Sequence, residues 1–249
     1  MNRNIEFYNE LKELIVNNVL SLSYVEIDAM YDSWELNKNN EGVANFKYQD
    51  NKIHRIQNVP LSGATLKGID LPTWFGDYSK TRVMILGIDP LRNEKVFKRE
   101  NADVDNDVII GTPYALHEIK ARIGACATYW NFIEGLSENH FVYCTDIYKT
   151  YYLKRDGVRS YNDQDFKSTP NHANLLKAEI DLIRPDVIIA FGNLVEDFLS
   201  HLNLPTKRIK LPHPSNANRY WNKIEGKTTS KNKVEHLSSL LQAEFSRDD

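Results

Sequence analysis

The sequence predicts an α/β fold, a three-layer α/β/α domain with a central, mostly parallel sheet of about four strands. Two observations predict it. Segments such as RVMILGI at 82–88 and DVIIAF at 186–191 are continuous apolar runs without polar–apolar alternation, the pattern of strands covered on both faces. These runs also alternate along the chain with segments of helical periodicity, which favours a parallel sheet with crossover helices.

The elements follow in order. Residues 4–20 carry Ile5, Tyr8, Leu11, Leu14, Ile15 and Val19 at helical spacing, so an amphipathic helix is expected there. Residues 37–52 are polar and turn-rich and read as a loop with a short strand. The first clear strand is 82–88; the charged stretch that follows, to Glu118, has weak periodicity. Residues 115–137 read as helix broken at Gly124, and HFVYCTDI at 140–147 as a second buried strand. Residues 147–170 are polar and read as loop. The stretch from Asn171 to Asn193 reads as helix, a break at Pro185, a strand and a glycine turn. A helix at 194–202, a short strand entering LPHPSN at 211–216 and a last helix at 229–246 complete the chain. With no internal repeat and no evident linker, residues 1–249 are expected to form a single domain with an N-terminal helical extension at about 1–80.

Composition narrows the function classes. With 249 residues, 41% of them hydrophobic, the chain can bury one large core or two small ones. A net charge of −3 and a pI near 6.2 exclude a globally basic DNA-coating protein but leave room for a local basic patch. Cys126 and Cys144 have no CxxC spacing, so neither a zinc ribbon nor a four-cysteine iron–sulfur cluster is expected. Two cysteines also fit a reduced, intracellular, cytoplasmic setting. No secretory h-region opens the chain, and no apolar run reaches the roughly 18 residues of a membrane helix. DVDND at 103–107 opens like a calcium loop, but Val108 and Tyr114 replace the required glycine and glutamate. No metal and no cofactor are expected.

Ligands of open α/β sheets bind at the carboxyl ends of strands. Four such ends are GIDP at 87–90, CTDIYK at 144–149, AFGN at 190–193 and LPHPSN at 211–216. Each polar residue there, taken alone, reads as a turn residue or helix cap. Together, Asp89, Asp146 and His213 would bring two carboxylates and an imidazole to one crevice, as acid–base or electrostatic catalysis requires.

This ordered set of motifs resembles the uracil-DNA glycosylase superfamily, over about residues 82–221. GIDP is similar to its first motif, in which the aspartate orients the attacking water. GTPYAL at 111–116 resembles the Gly-x-Pro-Phe segment whose ring stacks on the flipped base. CTDIYK is similar to the Thr-Asn-x-x-Lys strand end that reads the base edge, IRPDVIIAFGN to the Pro-x-x-Ile-x-x-Leu-Gly strand, and LPHPSN to the His-Pro-Ser motif. The chain departs from the family in lacking the cluster cysteines, in having Leu91-Arg92 for Tyr-His, and in carrying Asp146 in place of the base-reading asparagine.

The resemblance implies a monofunctional DNA glycosylase, hydrolysing the N-glycosidic bond of uracil or another modified base flipped out of DNA. Asp89 and His213 are its expected catalytic residues. Asp89 would hold water below C1′ and stabilise the cationic sugar, while His213 would donate to the departing base. Gly87, Ile88, Pro90, Tyr114 and Asp146 are the expected base-binding residues. Arg92, Lys210, Ser215, Asn216, Arg219 and Tyr220 are the expected DNA contacts, with Trp221 either beside them or packed under the last helix. Basic residues flank both motifs, which fits a nucleic-acid groove in an acidic protein. DNA is the expected partner and a monomer the expected state. Two rival readings share the fold: a base- or nucleic-acid-binding module without cleavage, and a hydrolase of small nucleosides.

Overall fold

The computed structural model describes residues 7–36, 46–49, 64–88, 94–154, 170–215, 218–223 and 229–246. Eight helices are described: α1 (Tyr8–Asn18), α2 (Tyr24–Leu36), α3 (Glu94–Arg99), α4 (Ile119–Ile123), α5 (Ala127–Ser137), α6 (Pro170–Ile183), α7 (Asn193–Ser200) and α8 (Ser230–Phe245). The strands are β1 (Phe46–Gln49), β2 (Ala64–Asp70), β3 (Thr73–Phe75), β4 (Arg82–Gly87), β5 (Asp107–Gly111), β6 (Phe141–Asp146), β7 (Thr150–Lys154), β8 (Val187–Phe191) and β9 (Lys207–Leu211).

The central sheet has five strands in the order β3-β6-β4-β8-β9. The last four run parallel, and β3 adds an antiparallel edge. Side chains of β4 alternate between two cores. Met84 and Leu86 join one with residues of α1, α2, α6 and α7. Val83 and Ile85 join the other with Phe132 and Ile133 of α5 and Leu237 and Leu241 of α8. Both faces are therefore covered, and this burial explains why β4, β6 and β8 carry no polar alternation.

A second sheet, β1-β5-β2-β7, mixes parallel and antiparallel pairs. It corrects two sequence expectations. Residues 150–154 are strand rather than loop, and the extension read as helical before residue 80 carries β2 and β3 as well as the short strand expected within 37–52. The broken helix at 115–137 resolves into a 3₁₀ turn at Pro113–Ala115 followed by α4 and α5.

Candidate active site

Strand parity assembles the site. Val83 and Ile85 on β4, and Val142 and Cys144 on β6, face the core beneath α5 and α8. Two residues further on, Gly87 and Asp146 end these strands in register with each other. Phe191 ends β8 and Leu211 ends β9 within the same core, and His213 follows two residues later. The ends of β4 and β6 are tied beyond the ladder, because Ile147 N–H donates to Gly87 O and Tyr148 N–H to Ile88 O, both at 3.0 Å.

At Gly87 a side chain has no room. A Cβ there would lie 2.0 Å from Asp146 Oδ1 and 3.0 Å from Tyr114 Oη. The absence of a side chain thus lets a carboxylate and a phenol approach the strand end. Asp146 itself is buried. Tyr114 and Ala115 both have left-handed backbone, with φ of 56° and 51°, a costly conformation for residues with a side chain. This backbone accompanies a ring stacked on Tyr129, with centroids 4.1 Å apart and planes 18° apart. The Tyr114 hydroxyl is buried and makes no hydrogen bond among the described residues. Burial, with Tyr129 and Asp146 nearby, holds that phenol well above its ordinary pKa, so it is a neutral O–H.

His213 is held from several sides. Its carbonyl accepts from Trp221 Nε1 at 2.9 Å and from Asn218 Nδ2 at 3.1 Å. Lys233, on α8, donates to the next carbonyl, Pro214 O, at 3.1 Å. The backbone N–H of Ser215 donates to His213 Nδ1 at 3.3 Å. Because Nδ1 accepts, the network assigns the ring proton to Nε2. Burial lowers the pKa of the imidazole, so at neutral pH it is an uncharged donor through Nε2–H. Tyr129 Oη lies nearly equidistant from both ring nitrogens, 2.9 Å from Nε2 and 3.1 Å from Nδ1. Gly192, at φ 86°, turns the chain beside it, and a Cβ on Gly192 would be 3.6 Å from His213 Cβ.

Behind β6, Lys149 donates to Glu179 Oε2 and to the carbonyl of Asp146, each at 2.6 Å, and also to Thr145 Oγ1. Tyr143 O–H adds a donor to Glu179 Oε1 at 3.1 Å. All four side chains are buried. This network fixes the backbone of the strand end that carries Asp146.

The structure therefore brings Gly87, Tyr114, Asp146 and His213 to one edge of the sheet, with Ser215 setting the imidazole tautomer. Ile88 is half-buried beside them. Asp89, Pro90, Arg92 and Asn216 lie outside the described residues. Lys210 and Arg219 are exposed. Tyr220 turns inward, its Oη 2.6 Å from His236 Nε2, and Trp221 is buried against α8 residues. Tyr129, Glu179 and Lys233 were not singled out by sequence reasoning. Each stands in a helix where it reads as an ordinary core or surface residue, and only the tertiary structure shows what it touches.

Among the described residues no helix is long and apolar enough to cross a membrane. Comparison with curated proteins gives no match. A family model described as the Uracil DNA glycosylase superfamily matches residues 73–240, more than half of the 249-residue chain. That span contains β3 to β9 and every described side chain of the site, and the chain belongs to the uracil-DNA glycosylase superfamily.

Proposed function

We propose that this protein is a monofunctional DNA glycosylase that hydrolyses the N-glycosidic bond of a base extruded from DNA. The observation that carries the reading is the state of His213. It is neutral, it presents Nε2–H, and it shares a sheet edge with Asp146 and Tyr114. As the glycosidic bond breaks, negative charge grows on the base and positive charge on the sugar. A neutral donor aimed at the base gains strength as that charge develops, which is where catalysis is won. Asp89 supplies the negative charge near C1′ and holds the attacking water. Tyr114 offers a ring for stacking, and Asp146 reads the base edge. Extrusion costs a few kcal/mol, least for a damaged, mismatched or unpaired base.

Asp146 shapes the choice of base. An ionised carboxylate only accepts hydrogen bonds, so it suits an exocyclic amine or two adjacent donors. A protonated one can donate to O4 of uracil while accepting from N3–H. The test is a panel of oligonucleotides, each with one altered base, in single and double strands, assayed for alkali-labile abasic sites. Cleavage of at least one member is expected, and Asp89→Asn should lower it about a hundredfold while DNA binding persists. Binding with no abasic product across the panel would instead mark a binding module, and release of base from free nucleosides alone a nucleoside hydrolase.

A further inference from the structure

The loop that carries His213 is gripped at two successive carbonyls. His213 O accepts from Trp221 Nε1 and Asn218 Nδ2, and Pro214 O accepts from Lys233 Nζ at 3.1 Å. Lys233 stands near the start of α8 and is only 1% exposed. Its Nζ lies 5.0 Å from the centre of the Trp221 ring. Taking an ammonium out of water is costly unless it is well bonded, and here it is set between a loop carbonyl and an aromatic face.

Two of the hydrogen bonds at this loop belong to one amide. The carbonyl held by Lys233 is that of Pro214, and the nitrogen joined to it is that of Ser215, whose N–H donates to His213 Nδ1 at 3.3 Å. Among the described residues every peptide bond is trans, and a trans amide is planar, with C=O and N–H pointing opposite ways. Lys233 therefore holds one end of the amide and the imidazole sits at the other. Charge drawn toward the carbonyl oxygen leaves the N–H more positive, so each hydrogen bond strengthens the other. An N–H aimed at Nδ1 leaves no room for a proton there, and the hydrogen of the neutral ring is kept at Nε2.

We propose that Lys233 is a positioning residue for His213, holding the Pro214–Ser215 amide by its carbonyl so that the N–H at the far end stays on Nδ1 and Nε2–H is left to face the base. The inference rests on the glycosylase reading, in which Nε2–H donates to the departing base. Lys233 gives up no proton and acts only through the peptide. Trp221 and Asn218 do something different, because they hold His213 by its own carbonyl and leave the donor to Nδ1 untouched. A brace of that kind fixes where the ring sits. Lys233 also fixes which nitrogen carries the hydrogen.

Two substitutions separate these roles. Lys233→Met keeps an unbranched stem against Trp221 and deletes the ammonium. Trp221→Phe keeps a ring and the ammonium and deletes a donor to His213 O. Nitrogen-15 NMR follows His213 through a pH titration of the wild type and both variants, with no substrate present. The wild type should show the Nε2–H tautomer at neutral pH. In Lys233→Met the weaker Ser215 donor and the lost positive charge both favour a proton on Nδ1, so the His213 pKa should rise. In Trp221→Phe it should stay where it is. Tyr129 faces the ring from α5, and Asp146 ends β6 on the same sheet edge; both are retained in all three proteins. An Nδ1–H wild type would overturn the proposal, and that reading needs no variant to fold. So would a titration that Lys233→Met leaves unchanged, or that both variants shift equally, since a simple brace has no reason to change the ring's proton affinity.

Rates complete the test. On the oligonucleotide from which the wild type releases base fastest, Lys233→Met should lower the single-turnover rate about tenfold to a hundredfold, the range that a small misplacement can cause, with little change in KM. A shifted titration with an unchanged rate would overturn the positioning role. If the wild type releases no base from any oligonucleotide, the glycosylase reading has failed, while a titration that moves in Lys233→Met alone still establishes the link from Lys233 to His213.

Discussion

Under the proposed glycosylase reading, a single atom at Asp146 decides which base the site accepts. Where the superfamily motif carries an asparagine amide, this chain carries a carboxyl group buried beside Gly87 and the Tyr114 hydroxyl. Uracil offers O4 as acceptor and N3–H as donor, so only the protonated carboxyl matches both. If Asp146 reads uracil, release should fall as rising pH ionises the carboxyl, and Asp146→Asn should increase release and flatten the profile. Strong, pH-flat release by the wild type, unchanged by the substitution, would remove Asp146 from base reading. Another ionisable residue acts on stability. Burial, with Lys149 nearby, pushes the His172 imidazole down to about 3, below its value of about 6.5 in the unfolded chain. Between those values the unfolded chain binds the extra proton, so stability is full above the unfolded pKa and is lost as pH falls toward the folded one. Denaturant titrations from pH 7 downward should show His172→Gln with a shallower acid decline than the wild type. The placement of Asp146 and His213 at the sheet edge was legible in the sequence because they follow apolar runs that read as strands. Tyr129 was not, because ATYWNF at 127–132 carries an ordinary core pattern, and its hydroxyl acquires a partner only when β9 delivers His213.

Elements matter here chiefly by how they brace strand ends. The loop after β9 hangs from the 3₁₀ turn Arg219–Lys223 and from α8, through Trp221 Nε1 and Lys233 Nζ. Trp221→Phe keeps most of the apolar contact and deletes the donor to His213 O. A stability loss of about 1 kcal/mol is expected, with base release falling further than stability alone would explain because His213 is less well aimed. Thermal melts beside single-turnover rates separate the two effects. The end of β6 is braced from the opposite face by the buried Lys149–Glu179 pair. Lys149→Met strands the Glu179 charge and should cost about 3–5 kcal/mol, whereas Lys149→Met combined with Glu179→Leu should recover much of it. Equal losses in the single and double variants would show that the pair is not what holds this end. The parallel strands could be read directly from the sequence, since burial on both faces leaves unbroken apolar runs. The second sheet could not. Strand β7 is TYYLK, with polar ends, and β2 shifts register against it between Leu66 and Gly68. Its period-2 pattern is broken where a reader would look for it.

For the whole molecule the question is where an acidic protein would hold a polyanion. The net charge of −3 repels DNA at long range, so any affinity must come from local concentration of cations. The sequence placed two basic clusters beside the first motif and the His213 loop, but it could not say which of those charges are already engaged. In the structure Arg99 bonds Glu118 at 3.0 Å, and Lys207 donates to Glu244 O at 2.8 Å. Arg208 lies 3.9 Å from Glu196. Lys210, next to the last residue of β9, and Arg219 and Lys223, in the 3₁₀ turn that follows the His213 loop, are exposed. If these residues contact phosphates, binding releases counterions and the logarithm of affinity falls linearly with the logarithm of salt concentration, by about 0.7 to 0.9 per phosphate contacted. Lys210→Glu with Arg219→Glu should remove about two such contacts and flatten the slope accordingly, while leaving the Nε2–H tautomer of His213 unchanged. Fluorescence anisotropy with a labelled oligonucleotide across a salt series measures the slope. An unchanged slope with weakened binding would place the DNA path on another face, one that reaches the same sheet edge from the side of the first motif.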